Sequence, residues 1–127
     1  MAGSNSDIGG DLWVDAQAGD DEILYDSLIV QRRTRIDLGA GHDYAAGSSA
    51  IFRDDVVLIG GLGDDDVLNY FNSYAFDLFV DLRGGADVYE ERASYIGGDF
   101  DADGGAGNDS FDDTGTVVVG SRSTKSF

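Results

Sequence analysis

Gly60-Gly61-Leu62-Gly63-Asp64-Asp65-Asp66-Val67 is a glycine-rich turn that ends in acid and runs into a β-branched residue. The shape recurs in Leu38-Gly39-Ala40-Gly41-His42-Asp43 and in Gly104-Gly105-Ala106-Gly107-Asn108-Asp109-Ser110-Phe111. Looser copies are Ala16-Gln17-Ala18-Gly19-Asp20-Asp21-Glu22-Ile23 and Leu82-Arg83-Gly84-Gly85-Ala86-Asp87-Val88-Tyr89. The anchoring glycines Gly19, Gly41, Gly63, Gly85 and Gly107 hold a 22-residue register, and two residues beyond each stands Asp21, Asp43, Asp65, Asp87 or Asp109. A fixed period between about 20 and 50 residues marks a stacked repeat architecture.

The repeats divide the chain into a lead-in (1–10), five units (11–32, 33–54, 55–76, 77–98 and 99–120) and a tail (121–127), with both ends expected to be loose. Stacked on one another, the units align apolar columns. One column reads Leu12, Thr34, Val56, Leu78, Phe100, and a second reads Val14, Ile36, Leu58, Val80, Ala102. They alternate with polar columns, the period-two pattern of a strand with one face buried. Ile23, Ala45, Val67, Tyr89 and Phe111 follow the acidic turns as the inward residues of a second strand. Leu28-Ile29-Val30, Ile51-Phe52, Tyr74, Tyr95-Ile96 and Val117-Val118-Val119 supply a third. Frequent glycine and β-branched residues, without a 3.6-residue periodicity, disfavour helix. The expected fold is all-β, a right-handed parallel β-helix of about five coils. An antiparallel sandwich has no reason to keep a strict register.

Composition narrows the function. A net charge of −17 argues against nucleic acid and anionic membrane surfaces, which need a basic footprint, and for cations as partners. Without cysteine there is no disulfide and no thiolate metal site. No apolar run reaches the ~18 residues of a membrane span, so membrane insertion is not expected, and the polar start does not read as a signal peptide. Five aspartates in line at coil spacing would repel by roughly 1 kcal/mol per pair in water and by more at lower dielectric. Asp15, Asp37, Asp81 and Asp103 form a second acidic column before the turns. Such columns make sense if cations sit between the turns. Calcium takes 6–8 oxygen ligands at about 2.3–2.6 Å, and half a coil spacing is about 2.4 Å. Softer metals would want His or Cys.

Gly60 to Val67 and Gly104 to Phe111 resemble the G-G-x-G-x-D-x-U signature of the repeats-in-toxin (haemolysin-type) calcium-binding repeats. The resemblance implies calcium held between stacked turns by turn carbonyls and the closing aspartate. Asp65 and Asp109 match best, and Asp43, Asp87 and Asp21 less well. Gly19, Gly39, Gly41, Gly61, Gly63, Gly85, Gly105 and Gly107 would shape the carbonyl cradle. The family repeats its motif every nine residues, giving calcium on both sides of an 18-residue coil. One motif per 22 residues implies calcium along one edge only.

The functional expectation is a non-enzymatic calcium-binding structural module, extracellular, within a larger secreted or cell-surface protein. The alternative is a polysaccharide-active or carbohydrate-binding β-helix, for which Arg35 with Asp15 and Asp37 would be the candidate groups. Trp13 and Phe79 lie on an outward strip that could take a carbohydrate or protein partner. The solenoid ends could support self-association. Arg32, Arg33, Arg35 and Arg53 are expected to form ion pairs across coils with Asp11, Asp54 and Asp55, and His42 is expected to be a solvated turn residue.

Overall fold

The computed structural model describes residues 6–127 and is built of strands and turns, without helix. The coil that carries the best turn shows the plan. Val56–Leu62 leads into the acidic turn, Asp66–Tyr70 leads out, and Ser73–Tyr74 closes the coil. Corresponding strands pair in parallel with the coils before and after. Val56 faces Thr34 and Leu78, Val67 faces Ala45 and Tyr89, and Tyr74 faces Phe52 and Ile96. Every rung joins residues 22 apart, so the chain is a β-solenoid of about five turns with three parallel sheets. The long sheet has six strands, from Leu12–Asp15 to Arg122–Lys125. The exit sheet has five, from Glu22–Asp26 to Ser110–Asp112. The short sheet has six, from Ser6–Ile8 to Val117–Val118.

The expected columns fill the core. Ile36, Leu58, Val80 and Ala102 are buried in line, and Val67 and Tyr89 face them from the exit sheet. Each fully buried large apolar side chain stabilises by about 1.5–3 kcal/mol. Leu38 and Leu82, at the head of the turns, also point into the core. Phe52 stacks on Tyr74 with ring centroids 5.2 Å apart, and Tyr89 stacks on Phe111 at 5.5 Å.

Both ends are more ordered than expected. Part of the lead-in, Met1 to Asn5, lies outside the described residues, but Ser6–Ile8 pairs with Leu28–Val30. In the tail Arg122–Lys125 pairs with Phe100–Asp103. Phe127 then lays its ring on Phe111 at 5.0 Å and covers the last aromatic layer. The register continues past the glycine motif in both directions, which the motif alone cannot show.

Two corners are pinned by polar side chains reaching one coil over. Asn72, Ser94 and Thr116 accept hydrogen bonds from the main-chain N–H of Ala50, Asn72 and Ser94. Asp55, Asp77 and Asp99 accept from Asp77, Asp99 and Ser121. These ladders satisfy corner amides that the strands leave over.

A buried polar chain runs through the core along the axis. Tyr25 crosses above Gly47, where a Cβ would sit 1.9 Å from its ring, and donates its hydroxyl to Asn69 two coils away. Asn69 donates to Glu91 at 3.1 Å, and Glu91 also accepts from Tyr74 at 3.1 Å and Tyr89 at 2.8 Å. Asn69 and Glu91 are fully buried. Burial raises the Glu91 carboxyl above its ordinary range, and the hydrogen bonds it receives hold it down in part. Tyr89, Glu90 and Glu91 alternate in, out, in, and that alternation is the sequence signal that could have placed Glu91 inside.

Candidate metal centre

Each acidic turn begins with main-chain groups held by the neighbouring coils. The N–H groups of Gly19, Gly41, Gly63 and Gly85 donate to Ala40, Leu62, Gly84 and Ala106 one coil on. Among the described residues, the carbonyls of Gly19, Gly41, Gly63 and Gly85 accept no hydrogen bond. Each faces the glycine one coil on at close range. A Cβ on Gly41, Gly63 or Gly85 would lie 1.9, 1.8 or 1.7 Å from that oxygen. Gly63 also has φ +120, so both the backbone conformation and the close approach demand glycine there.

This gives a test of the turn within one column. Gly63→Ala is expected to cost roughly 3–5 kcal/mol, combining left-handed strain with a backbone clash that no side chain can relieve. Gly19→Ala carries the same kind of φ, +128, with nothing within 4 Å of the new Cβ, and should cost only the strain. Urea melts of the two variants that superimpose would refute the stacking clash.

The glycines at the preceding position are Gly39, Gly61 and Gly105. They also have positive φ, and they stack on Gln17, Gly39 and Arg83. Gln17 and Arg83 occupy that column in the first and fourth coils and adopt φ 73 and 70 themselves. The two looser motifs therefore keep the turn conformation at a local cost of about 1–2 kcal/mol each.

The aspartates divide their two oxygens between two tasks. The Oδ1 atoms of Asp43, Asp65, Asp87 and Asp109 accept from the main-chain N–H of Asp21, Asp43, Asp65 and Asp87 at 2.8, 3.0, 2.8 and 2.9 Å. The Oδ2 atoms of Asp21, Asp43, Asp65, Asp87 and Asp109 are buried and have no hydrogen-bond partner. Those of Asp65 and Asp109 point into the turn. A Cβ placed on Gly60 would lie 3.0 Å from the Asp65 Oδ2, and one on Gly104 would lie 2.8 Å from the Asp109 Oδ2. The outer acids work in the opposite direction: Asp20 and Asp64 accept from the N–H of His42 and Ala86 one coil on. His42 is exposed, with Nδ1 4.0 Å from Asp64.

Electrostatics separates this column from the second acidic one. Asp37 is paired with Arg35 at 3.1 Å, Asp81 with Arg83 at 3.8 Å and Asp103 with Lys125 at 3.3 Å, while Asp15 forms no salt bridge among the described residues. Among the described residues no side-chain cation pairs with Asp21, Asp43, Asp65, Asp87 or Asp109. Burial pushes the Asp65 carboxyl up to about 6, the neighbouring Asp87 and Asp43 charges add to the rise, and the bond from the Asp43 N–H opposes it. Asp87 is likewise raised to about 6, chiefly by burial and then by Asp109, Asp64 and Asp66, against the bond from the Asp65 N–H.

Among the described residues no three His, Cys, Asp or Glu side chains converge on one point. An ion here would therefore take carboxylate oxygens from stacked turns and complete its shell with the unused glycine carbonyls and water. That is a hard, oxygen-only donor set, suited to calcium rather than to a thiophilic metal. The arrangement is linear, along one edge of the solenoid.

No helix of the described residues is long and apolar enough to cross a membrane. No protein-family model, no curated protein and no solved structure matches this chain.

Proposed function

We propose that the chain is a non-enzymatic calcium-binding structural module, with calcium between successive Gly-rich acidic turns and with folding or rigidity dependent on that calcium. The observation that carries this reading is the file of five buried carboxylate oxygens, Oδ2 of Asp21, Asp43, Asp65, Asp87 and Asp109, left without a hydrogen bond. Buried polar atoms normally find partners, and a run of orphans repeated at every coil needs a common explanation. The unused carbonyls of Gly19, Gly41, Gly63 and Gly85 supply the neutral oxygens that a calcium shell requires. The likeness of Gly60 to Val67 and Gly104 to Phe111 to repeats-in-toxin motifs supports the same ion. A place outside the cell, within a larger secreted or cell-surface protein, suits the reading, because weak extracellular sites fill at millimolar calcium.

The enzymatic alternative has less support. Arg35 is bonded to Asp37 along its own strand, so that group of side chains holds no free base beside a free cation.

Calorimetric titration tests the proposal. Calcium should bind with a saturable heat and magnesium should not compete at equal concentration. Asp65→Asn keeps an acceptor for the Asp43 N–H and removes one charge from the turn flanked by two gaps. It should weaken calcium binding about ten-fold or more, a loss typical of a charged ligand group. Asp21→Asn, at the first turn and only partly buried, should lose less. Absence of any calcium heat from the parent chain would end the reading.

A further inference from the structure

The outer face of the long sheet carries a concavity of about 420 Å3, walled by Asp11, Trp13, Arg33, Arg35, Asp55 and Val57. Its size falls in the range of small-molecule sites, about 300–1,000 Å3. Trp13 stands in register with Arg35, and Arg35 with Val57, so an indole, a guanidinium and an apolar floor succeed one another at coil spacing. Trp13 is 74% exposed.

Ion pairing in this region departs from the sequence expectation that four arginines would be neutralised across coils. Arg32 reaches Asp11 at 3.6 Å, and Arg35 is held by Asp37 on its own strand. Among the described residues, Arg33 and Arg53 form no salt bridge. Of the carboxylates lining the concavity, Asp11 pairs with Arg32 and one oxygen of Asp55 accepts from the Asp77 N–H at 3.2 Å. The net charge of −17 opposes a polyanion at long range, so recognition of an acidic ligand would be local, and here Arg33 stands without a salt bridge among the described residues in the same concavity as an exposed indole. An indole face packs on the C–H face of a pyranose. A guanidinium fork matches a carboxylate in geometry and charge.

We infer that Trp13, Arg33 and Arg35 form a binding subsite for a uronate residue of an acidic polysaccharide, with the sugar face on the indole and its carboxylate on Arg33. Arg35, fixed by Asp37, orients the ring from the neighbouring coil. The site rests on the solenoid itself and not on the calcium reading.

The test titrates the full chain, in buffer where its sheet signal is intact, with hyaluronan and oligogalacturonate hexasaccharides. The same oligosaccharides after reduction of their carboxyl groups and a poly-glutamate of matched charge serve as comparisons. At least one native hexasaccharide should bind saturably, and the reduced form and poly-glutamate should bind at least about ten-fold more weakly, as loss of a charged hydrogen bond or of a stacking face implies. Trp13→Ala and Arg33→Ala should each weaken binding by a similar factor with the sheet signal unchanged, while Arg53→Ala should have no effect. No binding of either hexasaccharide, equal binding of the reduced sugars or poly-glutamate, or unaltered affinity in Trp13→Ala or Arg33→Ala would each overturn the assignment. Uronate binding without a calcium heat would uphold this site and remove only the calcium proposal.

Discussion

In chelator the protein is expected to melt tens of degrees below its melting temperature in millimolar calcium, or to lose its sheet altogether. Five stacked turns have four gaps. At free calcium about 100 times the dissociation constant, each independent site that binds only the folded state adds about 2.7 kcal/mol. Several such sites together match the whole stability of a small domain, about 5–15 kcal/mol, and each kcal/mol moves the melting temperature by several degrees.

The pH dependence should reverse with calcium. Asp65 and Asp87 have folded pKa values raised from the ordinary 3.8 to about 6. Without calcium, their favourable contribution is complete below pH 3.8 and disappears as pH rises through about 6, because folding then buries two charges. Asp99, Asp103 and Asp112 have lowered pKa values and act oppositely, losing stability as pH falls below 3.8. The chelated protein should therefore be most stable near pH 4 and weaken toward pH 7. With calcium, which needs the carboxylates ionised, stability should rise over the same interval. Circular dichroism melts in chelator, magnesium and calcium at pH 4.5 and 7 measure both slopes. Identical melting temperatures under all these conditions would falsify the proposed calcium file.

Glu91→Ala is expected to be the most damaging single change in the core, costing roughly 3–5 kcal/mol in saturating calcium. It would leave the hydroxyls of Tyr74 and Tyr89 and the amide of Asn69 without their acceptor in a site closed to water. Glu91→Gln keeps one acceptor oxygen and nearly the same volume, and should cost less than half as much. Tyr25→Phe removes one donor to Asn69 and should cost about 1–2 kcal/mol. Urea denaturation curves rank the three. A Glu91→Ala variant within about 1 kcal/mol of the parent would mean that the polar chain is dispensable.

The fold was legible because one period governs it. Gly19 to Gly107 and Asp21 to Asp109 mark the register, and once the register is known, Ile36, Leu58 and Val80 must stack. The acidic turn was legible as a file of like charges. The separate tasks of Oδ1 and Oδ2 were not, because a sequence shows a carboxylate and not which of its oxygens meets an amide. The column Tyr25, Gly47, Asn69, Glu91 and Asp113 is mostly polar, and no apolar pattern marks it. Only the alternation from Tyr89 places Glu91 inside, and only three-dimensional packing reveals the gap above Gly47 that lets Tyr25 through. Cross-coil ion pairing is expected for Arg33 from the acids in adjacent coils, but among the described residues Asp11 pairs with Arg32 and Arg33 forms no salt bridge.

The exclusive pairing of each coil with its two neighbours also has a mechanical consequence. A pulling force applied to the two ends of the chain loads the terminal rungs first, since strand pairing ties each outer coil only to its neighbour, with the Tyr25–Asn69 hydrogen bond as an added tie from the first coil to the third. Each coil released frees 22 residues, roughly 75 Å of extended chain, and hands the load to a next coil of nearly the same construction. The molecule should therefore pay out in even steps like thread from a spool, with the force of each step set by one coil's ladder and by whatever ion bridges it to the next.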